Sequence, residues 1–250
     1  MNNLRVNLLI DDSLEAPMSN VGQSLLLVLI LITLPLSGCT EPEAEKTERD
    51  AVNLVEVESP CSVPSEPIVQ STAKVTVSGE ERYFRLTVPS SNAGTKLPLI
   101  IAFHGGDGAD EDFQQQDEFD QLAEQDKFIM AYAIAEDDRS ASEGEWFLNT
   151  AATSRDDNDF SEEIVDELSK TYCVDENRLY AIGYSLGSMF TYEIACQLND
   201  RFAAVASFAG TMPVEPETCN LMGSMAVMHI HGKLDWIIEY DEAWDWKDGE

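Results

Sequence analysis

From residue 72 onward, apolar positions along the chain switch repeatedly between a period of two and a period of 3.6. "KVTV" and "RYFRLTV" alternate on either side of "SGEE", a hairpin signal that puts Phe84, Leu86 and Val88 on one face. Leu97–Phe103 ("LPLIIAF") is a continuous apolar run ending at His104-Gly105-Gly106, as expected of a strand buried on both faces. "DEDFQQQDEFDQLAEQDK" predicts a helix with Asp110 as N-cap and Phe113, Phe119, Leu122 and Ala123 turned inward. Phe128–Ala135 reads as a second buried strand, followed by a polar loop carrying Trp146. "NDFSEEIVDELSKTY" puts Phe160, Ile164, Val165, Leu168 and Tyr172 on one helical stripe. Strand "RLYAIG", helix "SLGSMFTYEIACQL" and strands "AAVASFA" and "MAVMHIHG" complete the series. Strands alternating with helices predict right-handed crossovers and an α/β fold, its mostly parallel sheet covered by helices on both faces.

The first 71 residues have a different texture. Leu25–Leu36 is an apolar run shorter than the ~20 residues a membrane-spanning helix needs and typical of a signal-peptide core. "LSGC" follows, ending at Cys39, and no basic residue lies between Met18 and Cys39, so translation is expected to start at either Met1 or Met18. Residues 40–71 are rich in Glu, Ser and Pro without sustained period and read as a flexible acidic linker, leaving 72–250 as one domain.

Charge narrows the function. Fifteen Lys and Arg against 47 Asp and Glu give a formal net charge of -32, spread along the chain. Such a surface repels polyanions and excludes nucleic acid as a partner. Of five cysteines, acylation of Cys39 would leave Cys61, Cys173, Cys196 and Cys219, an even set that allows three pairings in an oxidising compartment. No Cys/His spacing fits a zinc site, so no metal is expected.

In a parallel sheet, sites form beyond the carboxyl ends of the strands. There the chain has "HGG" at 104–106, "GYSLG" at 183–187 and "HGKLD" at 231–235. Gly183-Tyr184-Ser185-Leu186-Gly187 is a G-x-S-x-G pattern between a strand and a helix, the context in which a sharp turn lifts a serine Oγ clear of the sheet. Glycines two residues either side leave room for that turn, and the helix starting at Leu186 aims free N–H groups at a developing oxyanion. The HGG loop offers a second oxyanion donor. Asp235 suits the acid of a Ser, Asp, His order, with Asp241 its main competitor.

Together "LPLIIAFHGG", the stretch from "SRDDNDF" through "GYSLG" to "SFAGTM", and "MHIHGKLDWIIEYDE" resemble the polyhydroxybutyrate depolymerase and feruloyl esterase family of α/β-hydrolases, and "LSGC" resembles the lipobox of bacterial lipoproteins. The first resemblance covers about residues 72–245. It implies Ser185 as nucleophile, Asp235 as triad acid, Gly106 and Leu186 as oxyanion donors, a Cys196–Cys219 disulfide, an ester substrate, no cofactor and a place outside the cytoplasm. The second implies residues 1–39 as a lipoprotein signal, with Cys39 the lipidated residue tying the protein to a membrane. The family's base would follow Asp235 by several tens of residues, whereas the chain's three histidines are His104, His229 and His231. The domain is therefore expected to be C-terminally incomplete and inactive as it stands, with His231 as the rival base. A serine peptidase of the same fold, or a non-catalytic surface lipoprotein, are the alternatives.

Overall fold

The computed structural model describes residues 59–106, 117–135, 146–150, 154–213, 218, 219 and 221–240. Cys39, Asp110, Phe113 and Asp241 lie outside them.

A 3-10 turn at Pro60–Ser62 precedes β1 (Ile68–Val77), β2 (Glu80–Val88), β3 (Leu97–Phe103), α1 (Asp117–Asp126), β4 (Ile129–Ala133), α2 (Asp156–Thr171), β5 (Val174–Tyr184), α3 (Leu186–Gln197), β6 (Ala204–Phe208) and β7 (Ala226–Ile230). The strands form one sheet in the order β1-β2-β4-β3-β5-β6-β7. β1 runs antiparallel to β2, as the "SGEE" turn requires, β2 runs antiparallel to β4, and all other pairs are parallel. Regular structure begins before the boundary expected at residue 72. Residues 68–71 already belong to β1, and a Cys61–Cys173 disulfide fastens the turn ahead of it to the α2–β5 junction.

Helices cover both faces. On one, Phe160, Ile164 and Val165 of α2 and Phe190 and Ile194 of α3 pack with Leu99, Ile101 and Phe103 of β3, all within 1 % of complete burial. On the other, Ala123 of α1 packs with Ala102, Met130 and Tyr132. The expected inward Leu122 is instead 41 % exposed, because α1 turns Asp120 to the sheet. That carboxylate accepts hydrogen bonds from Gln70 Nε2 (2.7 Å), Thr87 Oγ1 (2.7 Å) and Tyr132 OH (2.8 Å), which offsets its desolvation.

Register carries this scaffold to the site. Phe103 pairs with Gly183, Gly183 with Ser207 and Ser207 with His229, so β3, β5, β6 and β7 end along one row. The residues following each strand therefore meet at one edge of the sheet.

Candidate functional site

Ser185 is the single residue between β5 and α3, with φ 52° and ψ −118°. A non-glycine residue with positive φ costs about 1–3 kcal/mol and persists only where its surroundings enforce it. Here the Ser185 N–H donates to Phe208 C=O of β6 (2.9 Å), and Ser185 C=O accepts from Met189 N–H (3.1 Å). Three glycines make the turn sterically feasible. A methyl group on Gly183 would lie 2.1 Å from Gly187 O, and one on Gly187 would lie 2.2 Å from Phe103 O of β3. One on Gly210, just past β6, would lie 2.3 Å from Ser188 Oγ and 2.9 Å from Ser185 O.

The HGG loop lies against this turn. Methyl groups added at Gly105 and Gly106 would meet Ser185 Cβ at 3.3 Å and Leu186 Cδ2 at 3.8 Å. His104 is buried and holds the loop in place: Ala135 N–H donates to its Nε2 (3.0 Å), so Nδ1 carries the proton and faces Gly105 O at 2.6 Å. Trp146 donates its indole N–H to the His104 carbonyl (2.8 Å). The tryptophan expected in a polar loop is 3 % exposed, stacked on Phe190 with centroids 5.5 Å apart and meeting Phe103 edge-on at 5.1 Å.

Beyond β7 the chain turns at Gly232 and brings Asp235 back toward His231. One Asp235 oxygen accepts the N–H groups of Ile237 (3.0 Å) and Ile238 (3.1 Å), and the other lies 3.3 Å from His231 Nε2. The Ile238 N–H, with that of Ile237, holds the carboxyl below the usual aspartate range. His231 Nδ1 lies 3.0 Å from Gly210 O and its Nε2 lies 2.8 Å from Ile238 O, so both ring nitrogens face main-chain carbonyls. His229 turns toward Tyr192 OH (2.7 Å) and Ser207 Oγ (3.4 Å), where desolvation and then the neighbouring His231 lower its pKa. Among the described residues no histidine hydrogen-bonds Ser185 Oγ, and no group of three or more His, Cys, Asp or Glu is placed to hold a metal ion.

Cys196 and Cys219 form a disulfide that ties the last turn of α3 to the segment before β7. Sequence reasoning did not place Gly210 beside Ser185, Trp146 against the HGG loop or Glu193 on residues 149–150. Gly210 carried a signal in "FAG" directly after a strand, and Glu193 one as the lone acid in the apolar run of α3.

With this geometry in view, residues 76–249 match the Esterase family, described as "Putative esterase", and the chain belongs to that family. It is 30% identical over 201 residues to putative esterase NocK of Nocardia uniformis subsp. tsuyamanensis, covering 76% of this chain and 57% of that protein. It is 27% identical over 158 residues to feruloyl esterase B of Piromyces equi (61% and 29%). To the bifunctional acetylxylan esterase/xylanase XynS20E of Neocallimastix patriciarum it is 28% identical over 154 residues (61% and 21%). The chain thus matches between about a fifth and somewhat over half of these curated relatives' lengths. In three dimensions it superposes with TM-score 0.54 and 14% identity on the CE1 ferulic acid esterase AmCE1/Fae1A of Anaeromyces mucronatus, solved in complex with ferulic acid, over 70% of this chain and 76% of that one. The fold is that of the α/β-hydrolases.

Proposed function

We propose that the chain carries the nucleophile and oxyanion side of a serine esterase acting on carboxylic esters. The observation that carries the reading is Ser185 at φ 52°, one residue ahead of a helix and against a glycine loop. Ser185 Oγ attacks the ester carbonyl carbon while its proton passes to a base. The carbonyl π pair moves onto oxygen, where the Gly106 and Leu186 N–H groups stabilise it. Collapse expels the alkoxide, which takes the proton back from the base, leaving an acyl-serine that water hydrolyses by the reverse sequence. The base is assigned to none of His104, His229 and His231, since each of these faces other partners and none hydrogen-bonds Ser185 Oγ. Asp235, held ionised by main-chain donors, suits the acid that orients such a base.

The relatives named acetylxylan and feruloyl esterases favour an esterified polysaccharide over a polyhydroxyalkanoate. Two disulfides favour an oxidising compartment, and the sequence around Cys39 favours a lipid anchor there. Incubation with a fluorophosphonate and peptide mapping tests the nucleophile. Label should sit on Ser185 and vanish in Ser185→Ala. Label on another residue, or undiminished label in that variant, overturns the reading.

A further inference from the structure

A carboxylate inside the apolar helix α3 needs a reason. Glu193 is completely buried, and an unpaired charge there would be costly enough to unfold the helix from its site. Its partners are all on one short segment, residues 146–150. One oxygen accepts the Asn149 N–H, and the other accepts the Thr150 N–H (3.2 Å) and Thr150 Oγ1 (2.8 Å). A second buried acid, Asp157 of α2, takes the Phe147 N–H at 2.6 Å and is itself paired with Arg82 at 2.9 Å. The segment has no helix or strand structure of its own, so these side chains define its path.

The segment begins with Trp146. Phe190, three residues before Glu193 and on the same helical face, lies under its indole ring, while the indole N–H donates to His104 C=O. That carbonyl belongs to the planar peptide unit whose other end is the Gly105 N–H. Fixing it sets the direction of that N–H and the course of the chain into Gly106.

We propose that Glu193 is a positioning residue for the oxyanion loop: by gripping residues 149–150 it seats Trp146, and Trp146 orients the His104–Gly106 main chain against Ser185. The proposal rests on the reading of Ser185 as nucleophile and Gly106 as oxyanion donor. Glu193 touches no reacting atom. Its effect travels through one indole hydrogen bond, so its removal should slow chemistry without weakening substrate binding, as misplacing a catalytic group does.

Glu193→Gln, Trp146→Phe and the double variant, each made in the 250-residue chain, test this with two readouts. Gln keeps the shape but sets an NH2 against N–H donors, and Phe keeps the stack on Phe190 but removes the indole donor. Each single variant should slow fluorophosphonate labelling of Ser185 by about 10–100-fold, with initial binding of the probe unchanged. The double variant should be no slower than the slower single one, because both act through the same bond. Amide exchange at Gly105 and Gly106 should quicken in both single variants. Single effects that multiply in the double variant, or unchanged exchange at Gly105 and Gly106 in Glu193→Gln, overturn the proposal. If the parent chain shows no Ser185-dependent label, the esterase reading fails while the exchange measurement still decides the positioning role. Should Glu193→Gln not fold, Thr150→Val, which removes one donor to the same carboxylate, carries the same readouts.

Discussion

At the scale of single residues, the turn at Ser185 is a steric construction. Gly187 sits where a side chain would enter the β3 main chain, whereas a methyl group at Gly106 meets only the end of Leu186 at 3.8 Å. Gly187→Ala should therefore cost on the order of 4 kcal/mol or more, outside the range of ordinary substitutions, and Gly106→Ala less than about 1 kcal/mol, read by urea unfolding. Buried Glu193 has a distinct pH signature. Desolvation raises its carboxyl above the usual glutamate range, against the opposing pull of its Thr150 and Asn149 donors. A pKa raised on folding means that the folded state holds its proton more tightly, so this contribution to stability is complete below the ordinary glutamate pKa of about 4.3 and is lost as pH rises through the folded value. The unfolding free energy of the parent relative to Glu193→Gln should therefore fall as pH rises from about 4.5, and a flat or rising difference would show that burial does not dominate there. Such details were only half legible beforehand. "GYSLG" announces a tight turn because glycine spacing is a local property, but the collision partner of Gly187 is on a strand about eighty residues earlier and emerges only on folding.

At the scale of elements, the strands and helices were readable wherever an apolar face was wide and uninterrupted. The stripe Phe160, Ile164, Val165 and Leu168 predicted α2 and its buried face because four apolar residues at helical spacing outweigh any polar preference. In α1 the same logic put Leu122 inward and failed, since three hydrogen-bond donors on β1, β2 and β4 make Asp120 the better-satisfied buried group, and no local pattern reveals donors so distant in sequence. The MAVMHIHG run formed its strand, β7, yet Val227 and Met228 are 48 % and 51 % exposed, because β7 pairs with β6 along one side and is the last strand of the described sheet. Two disulfides tie these elements together, across sequence separations of 112 and 23 residues. Loop-closure entropy assigns about 5 kcal/mol to the longer link and about 3 kcal/mol to the shorter. Replacing Cys61 and Cys173 together by Ser should thus lower the denaturant midpoint more than replacing Cys196 and Cys219. The reverse order would show that strain or residual structure, not chain entropy, governs the two bonds.

At the scale of the whole molecule, a sheet whose strand ends align at Phe103, Gly183, Ser207 and His229 brings the proposed nucleophile Ser185, the proposed oxyanion loop His104–Gly106 and Asp235 to one edge. Among the described residues no histidine hydrogen-bonds Ser185 Oγ. The sequence alone keeps His231 as a rival base; in the structure its ring nitrogens face Gly210 O and Ile238 O, with Asp235 3.3 Å from Nε2. A serine hydrolase without its base loses on the order of 10⁶ in turnover while its oxyanion hole and binding surfaces retain about 10³ to 10⁴ over water. A diffusible base can enter a site in which no side chain takes the nucleophile's proton. The most direct test is cleavage of a short-chain aryl ester by the 250-residue chain across a series of imidazole concentrations, with the rate of Ser185→Ala subtracted at each point. The account predicts a Ser185-dependent rate barely above zero without imidazole, rising with imidazole and indifferent to His231→Ala. Full turnover without imidazole that disappears in His231→Ala would contradict it and make His231 the base.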